Sequence, residues 1–328
     1  MLPFHTDVPD LDAALVGLVR QIPQGCAASY GDLAKALGDR KATIWVSTVL
    51  QEPPASLWEV AHRVVRANGE PGRFPTGAIA RLIADGVPVQ NGRVDMSAAR
   101  FDAFEGDRPL ERLRAEQEGV ALHTRLTPLA SRPNVVAAVD VSYSFDGVAV
   151  AAYVLMEEGV AEPVWTTTAE VPVSFPYIPG YLSYRELPVY AELLRRVIDA
   201  DRVAPLLLVD GNGILHARRT GIATQLGVLA DHPTVGVSKS LLCGTIVYDG
   251  SFGDGTGRVV QKGETLAAAL PPLRRGKKPI FVSPGHRCTL DDAVAAVLPW
   301  RLGLRLPEPI RLADALSRTV AKGGLEAM

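Results

Sequence analysis

Residues 135–141 read Val-Val-Ala-Ala-Val-Asp-Val, which sets the carboxylate of Asp140 inside a run apolar enough to be a buried strand. A second such run, Leu206, Leu207, Leu208 and Val209, ends on Asp210, and Glu186 opens a helical pattern directly after Tyr184 and Arg185. Removing an ionised carboxylate from water costs several kcal/mol unless a partner meets it. For a single acid, an ion pair with a buried Arg or Lys is the better answer. Three acids at the ends of elements in one sheet fit another arrangement better, in which their oxygens converge on Mg²⁺.

The rest of this half alternates strands and helices. Residues 134–143, 148–156 and 161–171 read as three strands in a meander, joined by the turn pairs Asp146-Gly147 and Glu158-Gly159. Helices at 185–198, 221–229 and 290–298 and strands at 205–209, 234–237 and 280–283 complete the pattern. The expectation is α/β, a mixed sheet flanked by helices. At 328 residues the chain is long enough for two domains. The polar, helix-prone stretch 91–124 separates them, and the boundary is placed near residue 103, giving domains 1–103 and 104–328.

Charge and composition exclude several classes. Apolar residues at 47% and charged residues at 21% are values of a folded globular chain rather than of a disordered or fibrous one. With Lys+Arg 34 against Asp+Glu 36, no global basic field draws the chain to nucleic acid, so binding there must rest on local patches. No apolar stretch approaches bilayer length and no basic-then-apolar leader opens the chain, so no membrane partner and a cytoplasmic location are expected. Cys26, Cys243 and Cys288 are odd in number and far apart, which reads as three reduced thiols rather than a disulfide frame or a zinc site.

Before residue 103 the pattern is mainly helical. Leu11, Leu15, Leu18, Val19 and Ile22 recur at helical spacing behind Asp10, an expected N-cap. Shorter helices at 31–37 and 43–50, separated by Gly38-Asp39-Arg40-Lys41, have the spacing of a helix-turn-helix, although paired helices of this kind are more often plain packing.

Four stretches of the second half carry a stronger signal. Phe175-Pro176-Tyr177-Ile178-Pro179-Gly180-Tyr181-Leu182-Ser183-Tyr184-Arg185-Glu186, Val209-Asp210-Gly211-Asn212-Gly213-Ile214-Leu215-His216, Gly236-Val237-Ser238-Lys239-Ser240 and Val282-Ser283-Pro284-Gly285-His286 together resemble endonuclease V over about residues 104–328. The resemblance implies an RNase H-like fold and a Mg²⁺-dependent enzyme, with Mn²⁺ able to substitute, that nicks DNA on the 3′ side of deaminated adenine. It implies metal-binding roles for Asp140, Glu186, Asp210 and Asp314, and catalytic roles for His216 and Lys239 near the scissile phosphate. Tyr177 sits between Pro176 and Pro179, which stiffen a turn able to hold it outward as a wedge into a base step. Gly180, Gly211, Gly213 and Gly221 allow close backbone approach, suited to a pocket that reads an extruded base through main-chain N–H groups, with Leu182 and Ile222 beside it. One position departs from the family: Gln225 stands where a His usually precedes Leu-Gly-Val, and it is expected still to donate to a phosphate.

In the first half, Ile22-Pro23-Gln24-Gly25, Ser29-Tyr30-Gly31-Asp32-Leu33-Ala34, Val60-Ala61-His62-Arg63-Val64-Val65 and Asp85-Gly86-Val87 resemble the DNA-binding domain of alkylguanine-DNA alkyltransferases over residues 8–101. Ala61 occupies the place of the nucleophilic Cys. Without a thiolate nothing there can accept an alkyl group, so the likeness is to alkyltransferase-like proteins, which bind alkylated guanine without repairing it. Tyr30 matches the residue that helps rotate the nucleotide and Arg63 lies in the DNA-binding motif, whereas residues 43–50 lack the Arg that fills the vacated stack, with Arg40 and Lys41 only nearby. The expectation is a small helix-turn-helix domain fused to an RNase H-like nuclease, with DNA carrying deaminated or alkylated bases as partner. A damage-recognition protein without chemistry, an inosine-specific ribonuclease, and a first domain that merely tethers DNA are the alternatives.

Overall fold

The computed structural model describes residues 8–73, 76–250, 255–274 and 278–323. They form two compact units, Val8–Ala115 together with Ser174–Tyr181, and Glu116–Val173 together with the chain from Leu182 onward.

In the first unit, helix Leu11–Val19 buries Leu11, Leu15, Leu18 and Val19 and is capped as the sequence indicated, the Asp10 carboxylate accepting the Ala13 N–H at 2.8 Å. Helix Tyr30–Ala36 opens on a reciprocal cap. The Ser29 hydroxyl accepts from Asp32 N at 3.1 Å while the Asp32 carboxylate accepts from Ser29 N at 3.0 Å. A 3₁₀ turn, Arg40–Ala42, leads into helix Thr43–Val49, so the helix-turn-helix spacing is realised.

The structure divides the chain later than residue 103. Ala27 N donates to Ala99 O and Phe101 N to Ala27 O, both at 2.8 Å, and Leu110 N donates to Leu37 O at 2.9 Å. These backbone bonds hold the charge-rich stretch against the first unit, and the division falls at Ala115, inside helix Pro109–His123.

The second unit is built on one nine-stranded sheet. Its order is Thr245–Val247, Gly257–Gln261, Glu264–Leu270, Ile280–His286, Thr234–Ser238, Leu207–Asp210, Val135–Tyr143, Val148–Glu157, Trp165–Pro172. Leu207–Asp210 pairs in parallel with both of its neighbours and every other pairing is antiparallel, which makes the sheet mixed, with the expected three-stranded meander at one edge. The three strands between residues 245 and 270 were not anticipated.

Strand alternation sorts the side chains onto two faces. Val136, Ala138, Leu206, Leu208, Val235 and Val237 pack with Ile310 and Ala313 of helix Glu308–Ala321. Ala137, Val139, Leu207 and Val209 pack with Leu187, Tyr190 and Leu193 of helix Leu182–Asp199 on the other. Among the described residues no helix is long and apolar enough to cross a membrane.

Where the chain turns beneath this sheet, backbone meets backbone. A Cβ on Gly236 would lie 2.3 Å from Gly213 N and 2.6 Å from Asn212 C, whereas one on Gly119, inside a helix, would meet nothing within 4 Å. Gly236→Ala is therefore expected to cost about 1–3 kcal/mol or more by overpacking. Gly119→Ala should gain about 0.5–1 kcal/mol through helix propensity. Urea midpoints of the two variants check the contrast, and equal midpoints would remove the steric argument.

Candidate active site

The two-residue period that builds the core also aims the acids. Asp140 and Asp210 share the parity of Val136, Ala138, Leu206 and Leu208, and Lys239 that of Val235 and Val237, so all three point to the face covered by helix Glu308–Ala321. Val139 pairs with Val209 and Asp210 with Val237, which sets Asp140 and Asp210 at one level on adjacent strands, with Lys239 two residues beyond the Asp210 partner, just past the end of its strand. The covering helix contributes Asp314 and Ser317, on the stripe begun by Ile310 and Ala313.

One carboxylate oxygen from each of Asp140, Asp210 and Asp314 lies within 4.8 Å of the others. Lys239 Nζ donates to Asp210 Oδ2 at 2.7 Å and stands 3.6 Å from Asp314 Oδ1, which Arg318 also reaches at 2.9 Å. Asp140 Oδ2 accepts from Ser317 Oγ at 2.9 Å, and that hydroxyl also meets Ser142 Oγ at 2.8 Å.

Charge follows from burial. Burial and the nearby Asp210 carboxylate push Asp140 up to about 7, against a partial offset from the Ser317 hydrogen bond. Asp210 is likewise raised by burial despite the Lys239 ammonium. For Lys239 burial works toward the neutral amine, but the carboxylates outweigh it and its proton is held more tightly than usual. Hard oxygen donors crowded beyond what one ammonium neutralises, with no thiol or imidazole among the three acids, suit a hard divalent cation.

Glu186 reaches this region from the opposite face. It lies on helix Leu182–Asp199, buried, with the Tyr143 hydroxyl 3.5 Å from its Oε1, and burial followed by the charges of Asp140 and Asp210 raises it to about 8. It therefore feels Asp140 and Asp210 electrostatically without joining the cluster of three aspartates. His216 is buried on the loop after Asp210, its Nδ1 accepting from Arg218 N at 3.2 Å.

The expected DNA contacts divide into two groups. Tyr177 is 65% exposed and Leu182 is exposed at the start of its helix, while Gly180 adopts φ +85° as a turn glycine. Ile222, in contrast, is buried in the core with Val139, Val209 and Leu226. The N–H groups of Gly211, Gly213 and Gly221 are given to Val237 O, Ser283 Oγ and Gly213 O, so the close approach these glycines permit here is of the chain to itself. Gln225 is buried and hydrogen-bonded to the Tyr184 hydroxyl rather than presented to a phosphate. Arg63 is also engaged internally, donating to Asp85 Oδ2 at 2.6 Å and to Ile22 O at 2.8 Å. Tyr30 is half-buried and its hydroxyl is raised by burial, while Ala61 is buried beside His62.

Ser317, Tyr143 and Arg318 are the groups around the acids that sequence reading missed. The stripe Ile310, Ala313, Asp314, Ser317, spaced i, i+3, i+4, i+7, was the signal available for Ser317.

Burial fixes a pH dependence for the metal-free protein. An unfolded chain releases the Asp140 proton near 3.8, whereas the native one keeps it to about 7. The stability tied to that proton is thus complete below about pH 4 and lost as pH rises through about 7. In chelator, Asp140→Asn is expected to melt above the wild type at pH 8 and level with it near pH 4. Melting scans across that range check this, and parallel curves would mean that Asp140 is ionised throughout.

Two family models match the chain: Endonuclease V over residues 118–315 and the DNA-binding domain of 6-O-methylguanine DNA methyltransferase over residues 10–84. A bifunctional methyltransferase/endonuclease of Picrophilus torridus is 34% identical over 319 residues, spanning 95% of this chain and 96% of its own. Endonuclease V of Aeropyrum pernix is 44% identical over 200 residues, which cover 60% of this chain and 74% of that one. Among solved structures, Ciona intestinalis endonuclease V bound to a 23mer DNA containing inosine followed by a ribo-adenosine superposes with a TM-score of 0.59 at 30% identity, covering 66% of this chain and 98% of that one. Matches over both halves, and over nearly the whole length of a two-part relative, show that the chain belongs to the endonuclease V family, as a DNA repair nuclease with an alkyltransferase-like DNA-binding domain ahead of it.

Proposed function

We propose that this protein hydrolyses the phosphodiester on the 3′ side of hypoxanthine in DNA, using Mg²⁺ or, in its place, Mn²⁺. The observation that carries the reading is the convergence of Asp140, Asp210 and Asp314 within 4.8 Å on one buried face. These three residues would hold the cation, with Glu186 close enough to feel the charge of Asp140 and Asp210. When bound, such an ion supplies a nucleophilic water at neutral pH and neutralises charge on the leaving oxygen.

The chain's own groups do the rest. Asp140 and Asp210 are fixed by neighbouring strands and Ser317 holds the Asp140 carboxylate in one orientation. Lys239 provides a permanent positive charge at the same place, suited to an approaching phosphate. Tyr177, exposed on its stiff turn, fills the base step when the lesion rotates out. The DNA with inosine bound by the Ciona relative supports this choice of base. The first unit is assigned to DNA binding, with alkylated guanine as the lesion it would take, and Ala61 leaves no group for alkyl transfer. A protein acting on chromosomal DNA of this kind would work in the cytoplasm. The ribo-adenosine in the Ciona complex favours a second reading, inosine in RNA.

End-labelled duplexes, single strands and RNA carrying hypoxanthine, uracil, alkylguanine or no lesion separate these readings in one nicking assay with Mg²⁺ or chelator. Cleavage of hypoxanthine DNA above the RNA, abolished by chelator, is expected. Asp210→Asn should lower nicking about a thousandfold, about 4 kcal/mol of transition-state stabilisation, while leaving DNA binding in place. A variant cutting near the wild-type rate would remove Asp210 from the site.

A further inference from the structure

The segment that displays Tyr177 groups with the first unit although it lies deep in the nuclease sequence. Ser174–Tyr181 clusters with Val8–Ala115, whereas the strand before it and the helix after it do not. Three of its side chains, Phe175, Ile178 and Tyr181, are fully buried, and Tyr177 stands out between them. Anchors at i, i+3 and i+6 around one exposed ring leave the ring a defined direction and little freedom to fold back.

The last anchor is polar as well as packed. The Tyr181 hydroxyl donates to Asp39 Oδ2 at 2.7 Å, with Leu110 O 3.2 Å away. Asp39 occupies the turn of the helix-turn-helix, where its other oxygen accepts from Lys41 N at 3.0 Å and caps Arg40–Ala42. Leu110 N in turn holds Leu37 O at 2.9 Å on the same turn. Arg40 and Lys41, beside Asp39, are exposed, as is Ile44 on the helix that follows. A buried phenol therefore grips the turn whose neighbours offer the cations and exposed side chains a DNA backbone would meet.

We propose that Tyr181 is a positioning residue, whose hydroxyl on Asp39 ties the Tyr177 wedge to the helix-turn-helix so that the DNA-gripping unit also presents the wedge. The inference rests on the reading of Tyr177 as a wedge and adds a mechanical consequence. Engagement of DNA by the first unit fixes where the ring enters the stack, and the fused domain contributes to lesion recognition in the nuclease reaction itself, beyond tethering.

The test uses the full chain and oligonucleotides carrying one hypoxanthine, as duplex and as single strand, with Mg²⁺. A wedge is needed where stacking must be broken, so the readout is the ratio of duplex to single-strand nicking. A 2-aminopurine beside the lesion reports unstacking directly. Tyr181→Phe removes the hydroxyl at nearly constant volume, and Asp39→Asn keeps the capping oxygen while replacing the one that accepts from Tyr181. Each should lower the ratio and the unstacking signal about tenfold, the scale of one hydrogen bond to a carboxylate. The double variant should be no worse than either single one, because both remove the same bond. A merely structural loss would lower melting temperature and both substrates together, which would overturn the proposal. An unchanged ratio in both variants beside a lowered ratio in Tyr177→Ala overturns the tie but keeps the wedge. An unchanged ratio in Tyr177→Ala as well removes the wedge reading and the tie with it. Should one variant fold poorly, its partner on the other side of the bond decides.

Discussion

Like charge held out of water governs the second unit. Asp140 and Asp210 stand side by side because parallel strands bring Val139 beside Val209, and the apolar alternation that makes those strands stable also commits both carboxylates to the same covered face. Helix Glu308–Ala321 adds a third acid to that face and, with it, the Ser317 hydroxyl that meets Asp140. The crowding is met in two ways at once. Protons stay on Asp140 well above the usual carboxylate range, and the Lys239 ammonium spans Asp210 and Asp314. Both are responses to the same field, and both are arrangements that a divalent cation would replace.

Much of this was legible in the sequence because the period of a strand fixes where its side chains go. Once residues 135–141 are read as a strand, Asp140 must share a face with Val136 and Ala138, and the run ending at Asp210 imposes the same logic. What the period does not encode is the partner covering that face. Residues 308–321 were not read as a helix, since Pro307 and Pro309 obscure its start, and Ser317 and Arg318 stayed invisible with it. The strands between residues 245 and 270 were missed because the glycines at 244, 250, 257 and 263 interrupt the local pattern around them. Glu186 illustrates a further limit: motif matching groups it with the aspartates, while the fold brings it from the other face on a different helix.

Glycine was legible in type but not in partner. The motif around Gly211, Gly213 and Gly221 signals close approach, and close approach is present, with Asn212 O 2.1 Å from the place a Gly221 Cβ would take. The approaching group is the chain's own backbone. The loop's amides are satisfied within the chain.

The first unit shows a frame built around Ala61 that does not depend on any chemistry at that position. The two residues after Ala61 are locked: His62 Nε2 at 2.8 Å and Arg63 Nε at 2.6 Å converge on the same oxygen of Asp85. Arg63 spans on to Ile22 O, joining the stretch that follows the first helix to the turn that carries Ala61. Burial pulls His62 below its ordinary range despite the Asp85 carboxylate, so the ring is neutral at physiological pH. A neutral ring that donates from Nε2 to Asp85 leaves Nδ1 unprotonated, and that atom is buried without a partner among the described residues. The clamp therefore accounts for the His-Arg pair by itself: it fixes the backbone around residue 61, and it would do so whether residue 61 reacts or not. The presence of His62 and Arg63 is consequently accounted for by the scaffold, and any case for lesion binding has to rest on groups outside the clamp, Tyr30 among them.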